Sequence, residues 1–217
     1  MVNHRQERDR SGILATFVDC EATSFSGYCT EIGFAQVCQG PPHQHGTARI
    51  QHCAGLTIRS ESRLIRVDDW LDDYLKWDPA AEEVTGISRT LLLDHGRPAA
   101  EVAAWLNEEL EGLPVYSDAP RYDRGWIDGV FGVAGFKRRF TIVPIERMGW
   151  RKDIGRAEFR GLCDAQFDLL HGDQKPHRAE ADAISWAQVF TRARRSEKHP
   201  ESIFSKLIDL FQTSLRQ

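Results

Sequence analysis

At 217 residues and 24.7 kDa, with 41% hydrophobic and 28% charged residues, the chain is long enough for one sizeable domain with a real core and has the balance of an ordinary globular protein. A formal net charge of −4 excludes blanket affinity for polyanions, yet acids outnumber bases eight to three from Glu61 to Glu83 and bases outnumber acids eight to three from Lys137 to Arg160. Five cysteines without a C-x-x-C pair, no apolar leader near the charged start and no apolar run of membrane-spanning length argue against a disulfide scaffold and against a membrane partner, and lead to the expectation of free thiols in a cytoplasmic protein.

Met1 to Ser11 is polar and reads as a flexible arm. Ile13 to Glu21 is an apolar, β-prone run that ends in Asp19-Cys20-Glu21. Glu31 to Cys38 supplies a second strand and Arg49 to Arg59 a third, separated by the turn-forming Gln39 to Gly46. Short connections make these three an antiparallel meander, with the third as its half-exposed edge. Trp70, Tyr74 and Trp77 share a stripe on a helical turn and either pack inward or stack on bases. Pro79 opens a short helix that Gly86 ends, Ser88 is a candidate N-cap, and Pro98 opens a helix reaching Glu111, with Gly112 beyond it.

Leu113 to Tyr116 is a short strand, followed by a helix from about Asp123 whose buried stripe is Ile127, Val130, Phe131 and Ala134. Phe140 to Ile145 makes a fifth strand despite Pro144. Helices are expected from Glu158 to Leu170, from just after the loop that ends at His177 to about Arg195, and from Glu201 to the end, the last one amphipathic. The pattern gives an α/β fold: one mixed sheet flanked by helices over residues 12–196, with 197–217 packing on the domain or joining two copies.

Three places could carry chemistry. Strand side chains alternate, so Asp19 and Glu21 share a face, and each raises the other's pKa unless a cation lies between them; the alternative is that the strand ends there and both point into water. Asp182 stands at the edge of the stripe Ala179, Ala183, Trp186, Ala187 and Phe190, where a carboxylate needs a partner, or else it is a first-turn acid stabilised by the helix dipole. His177, just after Pro176, is placed to exchange a proton with water or is a plain loop histidine. Asp118 and Asp123 follow the short strand, and Asp123 is either turned into a crevice or caps the helix it begins. The basic segment Lys137, Arg138, Arg139, Arg147, Arg151, Lys152 and Arg156 is a track for a phosphate backbone or a solvated face. A separate metal site around His43, His45, His52 and Cys53 lacks a ligand set fixed by spacing.

Taken in order, these residues resemble the DEDDh 3′→5′ exonucleases, the family related to the proofreading subunit of bacterial replicative polymerase. The likeness runs from about Leu14 to Phe190. Phe17-Val18-Asp19-Cys20-Glu21 matches the first motif, with Thr23 two residues on. Pro79 to Ser88 looks like the family's Val-x-Gly-Ile helix. Tyr122-Asp123 matches the second motif, with Asp118 where an amide is usual and Arg124 where an apolar residue is common. His177 to Asp182 matches His-x4-Asp. The resemblance implies an RNase H-like fold, a central five-stranded mixed sheet with its first three strands antiparallel. It implies two Mg²⁺ or Mn²⁺ ions held by Asp19, Glu21, Asp123 and Asp182, with Asp19 bridging and His177 as general base. The implied substrate is the 3′ end of single-stranded DNA or RNA, with Thr23, Arg124, Arg138, Arg139, Arg151 and Lys152 as candidate contacts. A homodimer or association with a larger nucleic-acid-processing complex stays open. The competing expectation is a non-catalytic nucleic-acid- or protein-binding module on the same fold.

Overall fold

The computed structural model describes Arg10, residues 12–40, 48–66 and 77–148, Gly161, Asp164, Ala165 and residues 178–198. The N-terminal arm before Arg10, the turn carrying Trp70 and Tyr74, the basic segment after Met148, His177 and the helix from Glu201 lie outside the described residues. So does the expected helix from Glu158 to Leu170, apart from its three described positions.

Six strands form one mixed sheet. β1 (Ile13–Ala22) pairs antiparallel with β2 (Cys29–Cys38), which pairs antiparallel with β4 (Leu56–Leu64), itself antiparallel to β3 (Arg49–Cys53). On its other side β1 runs parallel to β5 (Pro114–Ser117), and β5 parallel to β6 (Thr141–Pro144), giving the order β3-β4-β2-β1-β5-β6. The expected strand from Arg49 to Arg59 is therefore two strands, and the sheet has six rather than five. Ala54 and Gly55, at φ 51° and 81°, form the two-residue hairpin between them. β3 is the exposed edge, whereas β4 is an inner strand beside β2.

β2 is buried along its whole length because helices cover both faces of the sheet. On one face α3 (Ala99–Leu110) and α4 (Pro120–Ala134) pack on Val18, Cys20, Ile32 and Phe34. On the other, α5 (Ala179–Lys198) lays Ala183, Trp186, Ala187 and Phe190 on Ala15, Phe17, Ala35 and Ile58. Each large side chain so buried contributes about 1.5–3 kcal/mol. Two shorter helices, α1 (Pro79–Thr85) and α2 (Arg89–His95), are capped as the sequence predicts: Gly86 closes α1 at φ 67°, and the Ser88 side chain accepts from the Leu91 amide at 3.1 Å. The Ser88 N-cap contributes about 1 kcal/mol.

Beside the apolar face of α3 lies a buried polar group. The buried Arg59 guanidinium reaches the Glu109 carboxylate at 2.9 Å and the Gln36 side-chain oxygen at 3.2 Å, so α3 is tied to β4 and β2 by charge as well as apolar contact. Cys20, Cys29, Cys38 and Cys53 are free thiols. Among the described residues no helix is long and apolar enough to cross a membrane.

Candidate metal centre

β1 runs between an antiparallel and a parallel neighbour, so its carboxyl end lies beside the carboxyl end of β5. Ala15 and Phe17 face α5, while Val18 and Cys20 face α3 and α4. Alternation then puts Asp19 and Glu21 on the α5 side, just past the last apolar contact. α5 brings Asp182 to the same place, 3% exposed and flanked by the buried Ala179, Ala183 and Trp186. Across β1, Phe17 pairs with Tyr116, so Asp118 stands beside Asp19, each two residues further along its strand direction.

Asp123 arrives from α4. That helix starts at Pro120, with Ala119 at the N-cap, three residues before the expected start. Asp123 is thus one turn inside the helix and not its cap. Proline at the first helical position is the local cause, since its missing N–H is not needed there and its φ is preset. The Asp123 side chain is 1% exposed and accepts a short hydrogen bond from the Ser117 hydroxyl at the end of β5.

Ligand-type oxygens of Asp19, Glu21 and Asp182 lie within 4.8 Å of one another, and so do those of Asp19, Asp118 and Asp123. Asp19 belongs to both groups. Its carboxyl is pushed well above the ordinary carboxylate range, first by burial and then by Asp123, Asp182, Asp118 and Glu21. Five carboxylates converging in this way repel one another in water-poor surroundings, and a divalent cation relieves the repulsion. The donor set is all oxygen, which suits Mg²⁺ or Mn²⁺ and gives no reason to expect a soft thiolate-bound ion. Cys20, between the two acids in sequence, points to the opposite face. Burial pushes its thiol well up, so it stays protonated.

Other expected positions have structural partners. Thr23 is buried, and its hydroxyl accepts from the Tyr28 amide at 2.9 Å, closing the loop after β1. Arg124 donates to the Ile142 carbonyl at 3.0 Å. Arg138 pairs with Asp128 at 2.9 Å and donates to the Phe140 carbonyl, and Arg139 reaches Glu111 at 3.3 Å. Arg151, Lys152 and His177 lie outside the described residues. Of the alternative histidine site, His52 contacts the Thr57 hydroxyl and Cys53 accepts from Thr191, while His43 and His45 lie outside the described residues. Trp77 donates to Glu82 at 3.0 Å and packs by Ile87 and Leu92, the inward alternative for this one residue of the stripe.

An aromatic group unforeseen in the sequence includes Tyr122, the residue before Asp123 on α4. Phe25, 80% exposed in the loop after β1, lies 5.5 Å from Tyr122, whose ring lies 5.7 Å from that of Trp126. Tyr122 and Trp126 are one helical turn apart on α4, a spacing present in the sequence. Phe25 joins them only through the loop, which no periodicity reveals.

No protein-family model and no curated protein matches the chain. Solved structures do. E. coli exonuclease I bound to a dT13 oligonucleotide superposes with a TM-score of 0.54 at 15% identity, over 88% of this chain and 43% of that one. Its complex with a dA16 oligonucleotide gives 0.55 at 14% identity, over 85% and 42%. Exonuclease I from Methylocaldum szegediense gives 0.52 at 15%, over 86% and 41%. The fold is RNase H-like. Within it the chain spans less than half the length of these structures, and an RNase H-like sheet gathers the acids at the carboxyl ends of β1 and β5.

Proposed function

We propose that the chain is a metal-dependent 3′→5′ exonuclease that hydrolyses phosphodiester bonds at the 3′ end of single-stranded DNA and releases nucleoside 5′-monophosphates. The observation that carries this reading is the pair of carboxylate groups sharing Asp19. Asp19, Glu21 and Asp182 would hold one Mg²⁺ or Mn²⁺, and Asp19, Asp123 and Asp118 a second. Bound there, two cations neutralise charge on the scissile phosphate, activate the attacking water and stabilise the leaving oxygen. Ser117 keeps the Asp123 carboxylate in one orientation through its hydroxyl. His177 takes the proton of the attacking water, a role that rests on the resemblance of its motif alone, as does the 3′→5′ direction.

Single strands are favoured by the exposed rings of Phe25 and Tyr122, backed by the half-buried Trp126, on which unpaired bases can stack at about 1–3 kcal/mol each. The oligonucleotides in the exonuclease I complexes are DNA. The test is a paired time course on single-stranded DNA and RNA labelled at either end, with Mg²⁺, Mn²⁺ or EDTA. Stepwise shortening from the 3′ end of DNA that stops with EDTA is expected. Retained binding without any chelator-sensitive cleavage would instead establish a non-catalytic module.

A further inference from the structure

Asp182 can serve as a ligand only if the first turn of α5 is held in register with β1, and ligating groups must be fixed to within about 0.5 Å. The residue that fixes this turn is Glu31 on β2, which no motif singles out. It stands directly across the ladder from Glu21 and is 1% exposed. Its two oxygens accept from Arg178 Nε at 2.8 Å and Arg178 Nη2 at 3.0 Å, a two-point grip on the guanidinium. They also accept from the Ala179 amide at 3.3 Å and the Ser62 hydroxyl at 2.8 Å.

The grip leads straight to the metal ligand, because the Asp182 amide donates to the Arg178 carbonyl at 3.0 Å as the helix begins. Gly33, two residues along β2, lets the turn come down onto the sheet. A Cβ there would overlap the Ala179 carbonyl carbon and the Glu180 nitrogen. Ser60 of β4 adds a further tie, donating to Glu180 at 2.8 Å.

We propose that Glu31 is a positioning residue: by seating the first turn of α5 on β2 it sets where Asp182 stands relative to Asp19 and Glu21, and so sets how tightly those three hold a divalent cation. This role rests on the metal-site reading above. It assigns Glu31 no contact with substrate or with the ion.

Glu31→Gln tests it, keeping the volume of the seat while removing the charge and one guanidinium acceptor. The expected result is a folded protein whose Mn²⁺ dissociation constant, by calorimetry without nucleic acid, rises about 10–100-fold, the usual consequence of losing a group that orients a ligand. Amides 179–182 should exchange about 10-fold faster as the turn loosens. At limiting Mn²⁺ kcat falls, excess Mn²⁺ recovers it, and the KM for a 5′-labelled single-stranded oligonucleotide is unchanged. Wild-type Mn²⁺ affinity and amide exchange in folded Glu31→Gln overturn the proposal. If that variant does not fold, Arg178→Gln removes the same grip from a side chain that is 47% exposed, and wild-type Mn²⁺ affinity there overturns it equally. A wild-type protein that binds no Mn²⁺ removes the nuclease reading and this role together, an outcome distinct from loss of the Glu31 effect alone.

Discussion

Asp19 is the side chain on which the site turns, and its titration has a definite sign. Its folded pKa is raised well above the unfolded value, by burial foremost and by four neighbouring carboxylates. The native state therefore binds the proton more tightly than the unfolded chain, so the contribution of Asp19 to stability is fully present below the unfolded pKa of about 3.9 and is lost as pH rises through the folded value. Metal-free protein should thus lose stability as pH rises above about 4 relative to Asp19→Asn, which carries no titrating group at that position. Thermal unfolding in EDTA across that range checks it: the difference in Tm should widen with pH in favour of the variant, and a constant difference would contradict the repulsion. The same variant should lose cleavage by about 10³-fold or more, equivalent to about 4 kcal/mol of charge stabilisation. Asp19 and Glu21 were readable because a two-residue spacing on a strand is a statement about geometry. Glu31, Ser117 and Phe25 were not, because their partners lie across the sheet or around a loop, and no local spacing encodes such a contact.

The elements that the sequence mistook fail for nameable reasons. α4 begins at Pro120 and not near Asp123 because the apolar stripe that marks a helix starts only at Ile127, leaving proline as the sole early signal. Arg49 to Arg59 reads as one strand because its alternation continues across a hairpin of only two residues, Ala54-Gly55. Type I′ hairpins need positive φ at both central positions and normally announce themselves with Asn-Gly or Asp-Gly. Ala54 at φ 51° gives no such notice and sits where an L side chain with a Cβ costs about 1–2 kcal/mol. Ala54→Asn should recover part of that, about 0.5–1 kcal/mol. In a chain of this length the gain is about 1–4 °C in Tm by calorimetry. An unchanged or lowered Tm would show that the turn is not strained at this position. The exchange is far from the carboxylates along the edge of the sheet and should leave metal affinity untouched.

One mixed sheet, helices on both its faces and an acidic crevice at the carboxyl ends of two adjacent strands follow from the order of elements, and this is why the architecture could be read before any side-chain contact. Such a molecule stores mutual repulsion among five carboxylates in its metal-free native state, and the unfolded chain, where those carboxylates come from distant segments, has no comparable site. A cation that binds here therefore binds the native state alone and must shift unfolding by mass action. At Mn²⁺ about 100-fold above its dissociation constant the gain is about 2.7 kcal/mol, and for a chain of this size that raises Tm by about 5–10 °C. EDTA should reverse the shift, Ca²⁺ should reproduce part of it through the same oxygen donors, and Asp19→Asn should abolish most of it because Asp19 belongs to both carboxylate groups. Monovalent salt of equal ionic strength separates this from general screening, since screening would act on charged groups throughout the molecule and leave a variant at Asp19 as responsive as the wild type. A Mn²⁺ shift of the same size in both proteins would place the ion elsewhere and detach the carboxylate crevice from metal binding.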